Sequence, residues 1–260
     1  MILDYKSEKV KNEVLGKDFY TNNSGSCFVF EYVNYKNVLV IFHDPVCLVS
    51  CSMSNLKKGK VENPLKPTVC GVGYIGVGVY NSANSKRCYF LWNNMLKRCY
   101  SETERFKFPS YEGITVCEDW HNFQNFAEWC YGQEHFNRKE SNDRYYHLDK
   151  DIINSTSLEY SPETCCFVPS YINTLFTKRK NSNLPVGVSP DKVRGGYVVR
   201  MSDGVSSHKY LGRFKCPEQA FQVYKEAKEN LIKEMAIKYS SKISENVLQK
   251  MMDYKVGLTG

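Results

Sequence analysis

This 260-residue chain contains no run of about twenty apolar residues, the length that a membrane-spanning helix needs. Its most apolar stretch, residues 37–52, is interrupted by His43, Asp44 and Pro45. The opening residues, MILDYKSEKVKNE, mix charge with apolar side chains and hold no signal-peptide core, so secretion is not expected. No two cysteines form a CxxC pair, and their number, eleven, is odd. A zinc site or a disulfide framework is therefore disfavoured, and reduced, mostly buried thiols in a cytoplasmic protein are expected. No internal repeat is evident. Intrinsic disorder is excluded by 42% hydrophobic and 14% aromatic residues.

A net charge of +7 is present, and it is unevenly spread. From Lys178 onward there are sixteen Lys/Arg against eight Asp/Glu, whereas the first 177 residues carry nineteen against twenty. All the excess positive charge lies in the last third, which points to a polyanionic partner, nucleic acid before membrane.

The hydrophobic pattern predicts an α+β chain in several blocks. Residues 1–62 read as a short N-terminal helix or arm and a small β-domain. Two β-rich runs, 28–33 and 38–42, flank a hairpin turn at Asn34-Tyr35-Lys36-Asn37. Residues 63–83 form a Gly/Pro-rich connector. Its Gly71, Gly73, Gly76 and Gly78 fit GxGxxG by spacing, but no convincing strand precedes them and no helix with a downstream acid follows, so a flexible or turn-rich connector is expected there. Residues 84–177 hold all three tryptophans. Apolar groups at helical spacing over 90–100 and 120–130 predict two helices that pack through aromatic rings. Residues 141–177 then read as strand, loop, strand and helix start. A basic linker, KRKNSNL at 178–184, leads to a last block over 185–260. In that block three short strands are expected around 187–188, 196–201 and 209–214, with Asp203-Gly204 as a hairpin signal. A helix opens at Pro217 with an apolar face of Ala220, Phe221, Tyr224, Ala227, Leu231 and Ala236, and continues helical to Met252.

Two segments carry candidate chemistry. Asp149 and Asp151 offer carboxylate oxygens suited to magnesium, and Asn173 offers an amide oxygen from the following helix. By spacing alone, two aspartates around a lysine also suit a solvated strand end. On a strand, His147 would share a face with Asp149 and Asp151, where it could serve as a base, or it could simply neighbour Tyr145. In the last block Arg194, Tyr197, Arg200, Lys209, Tyr210 and Arg213 lie on or beside the three strands. A sheet face bearing such residues can enter a major groove of double-stranded DNA, with cations on phosphates or guanine edges. The same pattern also suits the solvated face of a small module.

The chain resembles a family of bacteriophage HNH-type endonucleases over about residues 88–176. The likeness rests on Trp92-x-x-Met95-Leu96-x-Arg98-Cys99-Tyr100, on Tyr111, and on Val116-Cys117-Glu118-x-Trp120-x-x-Phe123-x-x-Phe126. It continues through Leu148-Asp149-Lys150-Asp151 and Tyr160-Ser161-Pro162-Glu163-Thr164-Cys165. The resemblance implies a ββα-metal nuclease region using Mg2+ or another divalent cation. Asp149 would take the metal-binding position of the first strand, Lys150 the position of the general-base histidine and Thr164 that of the second-strand asparagine. Asn173 would take the final ligand position. Lysine and threonine depart from the family pattern at 150 and 164.

The last block resembles the ethylene-response-factor-type DNA-binding domain found in phage homing endonucleases. Gly187-Val188, Tyr197-Val198-Val199-Arg200, Tyr210-Leu211-Gly212-Arg213-Phe214 and Glu218-x-Ala220-x-x-x-Tyr224 carry that likeness. Together the resemblances imply a homing or free-standing DNA endonuclease acting in the bacterial host cytoplasm. A DNA-binding repressor or accessory factor that has lost catalysis is the alternative.

Overall fold

The structure, a computed structural model, describes residues 2–176, 184–203 and 209–258. All but Leu184 of the KRKNSNL linker, and Gly204 of the expected Asp203-Gly204 turn, lie outside the described residues. The chain divides into two units: Met1–Ser101 with Glu118–Ala127, and Glu102–Cys117 with Glu128–Gly260. Among the described residues no helix is long and apolar enough to cross a membrane.

The first unit begins with helix α1 (Ile2–Val14) and a four-stranded antiparallel meander of β1 (Asp18–Thr21), β2 (Gly25–Asn34), β3 (Asn37–His43) and β4 (Val46–Cys51). The expected turn joins β2 to β3: Asn34 Oδ1 accepts the backbone N–H groups of Lys36 and Asn37 at 2.9 and 3.0 Å. Alternation buries Cys27, Val29, Val38, Val40 and Phe42 on one face, where Val14 and the short helix α2 (Met53–Lys57) cover them through Met53 and Leu56. Helix α3 (Lys86–Tyr100) buries Cys88, Trp92, Met95, Leu96 and Cys99 at the expected spacing. Trp92 packs on Phe123 with ring centroids 5.3 Å apart, and its indole N–H donates to the Trp120 carbonyl at 2.7 Å.

The connector over 63–83 is turn-rich, as its glycines and prolines suggest, and it is pinned by side-chain hydrogen bonds. The Gln124 amide donates to the carbonyls of Ile75 and Tyr80 at 2.8 and 2.9 Å and accepts the Tyr80 N–H at 3.0 Å. Gly73 lies so close to Trp92 and Leu96 that a Cβ there would overlap both side chains. Gly73 thus permits close approach to Trp92, and Gly76 and Gly78 to Asn122 and Gln124.

The second unit contains α4 (Glu102–Lys107), β5 (Thr115–Val116) and the end of α5 (Phe123–Gly132), whose first half belongs to the first unit. Then come β6 (His147–Asp149), β7 (Glu159–Tyr160), β8 (Cys166–Val168) and α6 (Ser170–Leu175). Strands β6 and β8 pair antiparallel, and β5 and β7 pair parallel. Strands β9 (Val188–Pro190), β10 (Tyr197–Met201) and β11 (Lys209–Phe214) form the expected three-stranded antiparallel sheet, followed by α7 (Pro217–Lys238) and α8 (Glu245–Met252).

Two expectations are revised here. The helix from Pro217 does not run unbroken to Met252. It stops at Lys238, and Ser244 opens α8 by accepting the Val247 N–H, so Val247 and Met251 are buried. The division at 177–185 is not a boundary between cores either. Ile152, Cys166, Val168, Ile172, Leu175 and Phe176 share one hydrophobic cluster with Met201, Leu231, Ile232, Ala236, Ile243, Val247 and Met251. The segment 84–177 is itself divided between the two units.

Candidate functional site

Strand β6 ends in a turn built by Asp149. Its Oδ1 accepts the backbone N–H groups of Asp151 and Ile152, both at 2.9 Å, and so reverses the chain within three residues. Only 8% of Asp149 remains exposed. Burial pushes its carboxyl up to about 6, and the negative charge of Asp151 adds to this, while the two backbone N–H groups and Lys150 pull the other way.

Lys150 is 5% exposed. Its ammonium donates to Asp151 Oδ1 at 2.9 Å and to the Ser157 carbonyl at 3.1 Å, and lies 5.8 Å from the centre of the Tyr160 ring. The lysine is therefore tied into the loop between β6 and β7. Thr164 performs a related task on the next loop: Oγ1 donates to the Glu159 carbonyl at 2.8 Å and accepts the Ser161 N–H at 2.9 Å. The short side chain orients its loop through backbone groups.

The other proposed residues fall around this turn. His147 is exposed on β6, opposite Val168. The strand ends at Asp149, so its alternation does not extend to Asp151, and the shared face expected for all three residues reduces to His147 and Asp149. Asn173 is half-buried on α6, a helix packed against β6. Among the described residues no group of three or more His, Cys, Asp or Glu side chains is arranged as a metal site. What the turn does offer is hard oxygen: the second oxygen of each of two neighbouring carboxylates, a donor chemistry that fits a divalent cation such as magnesium. None of the eleven cysteines forms a disulfide.

The three-stranded sheet sorts its candidates by face. Val199 and Val188 turn toward Ala220 and Phe221 of α7, and Tyr197 packs with them, so Tyr197 is not on the open face where the sequence put it. A bulge at Leu211 lies between the pairs Val199–Gly212 and Arg200–Tyr210. It sends Leu211 inward and leaves Tyr210 and Arg213, three positions apart, on the outer face with Arg200. Tyr210 is 58% exposed. Arg200 and Arg194 are also exposed.

Arg213 is already engaged. Its guanidinium donates to the Gly195 carbonyl at 3.0 and 2.8 Å and to the Arg194 carbonyl, and lies 3.4 Å from Asp191. Asp191 in turn accepts the N–H groups of Val193 and Arg194. Arg213 therefore fastens the turn that carries Arg194, instead of standing free as a groove contact. Lys209 lies 4.0 Å from the Asp203 carboxylate. Sequence reasoning missed Asp191, although Asp191 followed by Arg194-Gly195-Gly196 is a legible turn signal. Ser157 was missed as well, and nothing in the pattern marks a backbone carbonyl as the partner of a buried lysine.

No family model matches the chain, and no curated protein or solved structure is significantly similar to it.

Proposed function

We propose that the chain is a metal-dependent DNA endonuclease of the HNH type that grips double-stranded DNA through the β9–β11 sheet. The observation that carries the reading is the antiparallel pair of β6 and β8, with the Asp149 turn at the end of β6 and helix α6 following β8, packed into the same core as a sheet bearing exposed arginines. Asp149 and Asp151 would hold the divalent cation, with Asn173 of α6 as a further oxygen ligand. Such a cation neutralises charge on a scissile phosphate. The chain's own contribution is to fix the two carboxylates: Asp149 through its turn, Asp151 through the Lys150 ammonium. His147, exposed beside the turn, is the candidate for moving a proton to or from water.

The test is nicking of supercoiled plasmid with magnesium, comparing the native chain with Asp149→Asn. Asparagine keeps the turn acceptor and removes the charge. Loss of nicking by about a hundredfold with duplex binding retained is expected. Undiminished cleavage by Asp149→Asn would remove the site assignment.

A second reading, DNA binding without cleavage, is favoured by one specific observation. The residue at the general-base position is a buried lysine held by Asp151 and Ser157, and an ammonium has no lone pair to accept a proton. Tight duplex binding with no nicking in magnesium or manganese would select this reading.

A further inference from the structure

The second unit contains a cavity of about 390 Å³ at the opposite end of the β6–β8 pair from the Asp149 turn. It is walled by Arg138, Lys139, Lys242 and three tyrosines, Tyr146, Tyr171 and Tyr239. We propose that this cavity binds a nucleotide unit, with the phosphate held by the three cations and the base lying against the tyrosine rings. The inference goes beyond the nuclease reading and stands whether or not the Asp149 turn cuts DNA.

Charge is the first support. Three cationic side chains face one carboxylate in the wall, Glu140, whose Oε1 is already committed to the Ser170 backbone N–H at 2.9 Å. The cations are held in place by contacts that leave donors over. One terminal nitrogen of Arg138 meets the Ser241 carbonyl and His135, each at 3.2 Å, so other N–H groups of the fork are left for an anion. Lys139 takes Asp143 at 2.7 Å from outside the wall, and the Lys242 ammonium lies 5.6 Å from the centre of the Tyr239 ring. An ammonium has three donors, and one ion pair does not use them all.

The rings and the volume are the second support, and they point past a bare anion. Tyr171 and Tyr239 stand 6.2 Å apart with planes 32° from parallel, and Tyr146 is braced by stacking on His135. Rings held in this way offer flat faces to a base without first having to be ordered. Inorganic phosphate would fill only a small part of the cavity, whereas pockets for small organic ligands begin at roughly 300 Å³. A ligand that is anionic at one end and aromatic at the other matches both halves of the wall.

The ligand could be a free 5′-nucleotide or one residue of a single strand, and calorimetric titration of the full chain separates these sources. The probes are adenosine 5′-monophosphate, adenosine, inorganic phosphate and a five-nucleotide single strand. The monophosphate is expected to bind saturably and about tenfold more tightly than adenosine or phosphate alone. Lys139→Ala with Lys242→Ala, both exposed positions, should weaken it about fivefold or more, while Arg200→Ala on the sheet leaves it unchanged. A single strand that binds more tightly than the monophosphate, with the same loss in the double variant, identifies the strand as the source, and equal affinities identify the free nucleotide. Absence of saturable binding by both nucleotide probes overturns the proposal. So does binding that survives the double variant, or phosphate alone binding as tightly as the monophosphate. Failure of duplex binding in Arg200→Ala speaks only to the sheet.

Discussion

Two opposing effects meet in the side chain of Asp149. As an acceptor of two backbone N–H groups it builds the turn, and as a buried anion it weakens the fold. Its folded carboxyl, at about 6, lies above the ordinary value of 3.8. Between these pH values the folded chain holds a proton that the unfolded chain has released. Stability from this group is therefore greatest below about pH 4 and falls as pH rises through 6, by about 3 kcal/mol for a shift of this size. Asp149→Asn keeps the acceptor and has no charge to bury. Urea unfolding in a metal chelator should find this variant more stable than the native chain at pH 8 and nearly equal to it at pH 4. Asp149→Ala, lacking the acceptor, should fall below Asp149→Asn by about 1–3 kcal/mol at both. Lys150 shows the complementary arrangement, a buried cation whose partners are a carboxylate and a carbonyl. Lys150→Met leaves Asp151 without its ion pair, and loosening of residues 150–159, read as faster amide exchange, is the expected result.

Among the elements, the β9–β11 sheet separates residues that bind from residues that build. Arg200 is exposed on the outer face, whereas Arg213 is spent on the turn at 191–196. Arg200→Ala should weaken duplex binding about tenfold and reduce the magnitude of the salt slope by about one, with melting unchanged. Arg213→Ala should instead lower stability by about 1–2 kcal/mol. Gly187 has a φ of +76°, and a Cβ there would overlap the Tyr224 ring. Gly187→Ala is therefore expected to cost about 2–4 kcal/mol, visible as an earlier thermal transition.

The same sheet shows what the sequence makes legible. Its three strands and the helix at Pro217 follow from short runs rich in β-formers and from the proline. The inward position of Tyr197 did not follow, because aromatic residues suit either face of a strand and only the pairing decides. The bulge at Leu211 was equally hidden, since one extra residue changes faces without changing composition. In the candidate site, Asp149, Lys150 and Thr164 were identifiable as residues. Their work was not, since most of their bonds go to backbone groups of other positions, which periodicity cannot report.

For the whole molecule, the shared core is the main result. Met201 follows Arg200 on β10, Ile152 follows Asp151 after the turn, and both belong to one buried cluster that includes the fully buried Ile232. Ile232→Ala should destabilise this unit by about 2–5 kcal/mol, and amide protection at 166–168 and 197–201 should fall together. Separate responses would show two cores in place of one. A fragment starting near residue 181 would expose Met201, Leu231, Ile232 and Met251, so it is a poor stand-in for the full chain in binding work.

The chain passes between its two units at 101–102, 117–118 and 127–128, and this has a consequence during synthesis. Trp92 cannot be covered until Trp120 and Phe123 have left the ribosome. By then residues 102–117 have also emerged, and β5 must wait for β7, more than forty residues later, to gain its parallel partner. Neither unit can finish as a block before the other has begun. Nascent chains arrested after residue 101 should therefore leave α3 open to chaperones and proteases, and the protection should arrive late and in one step.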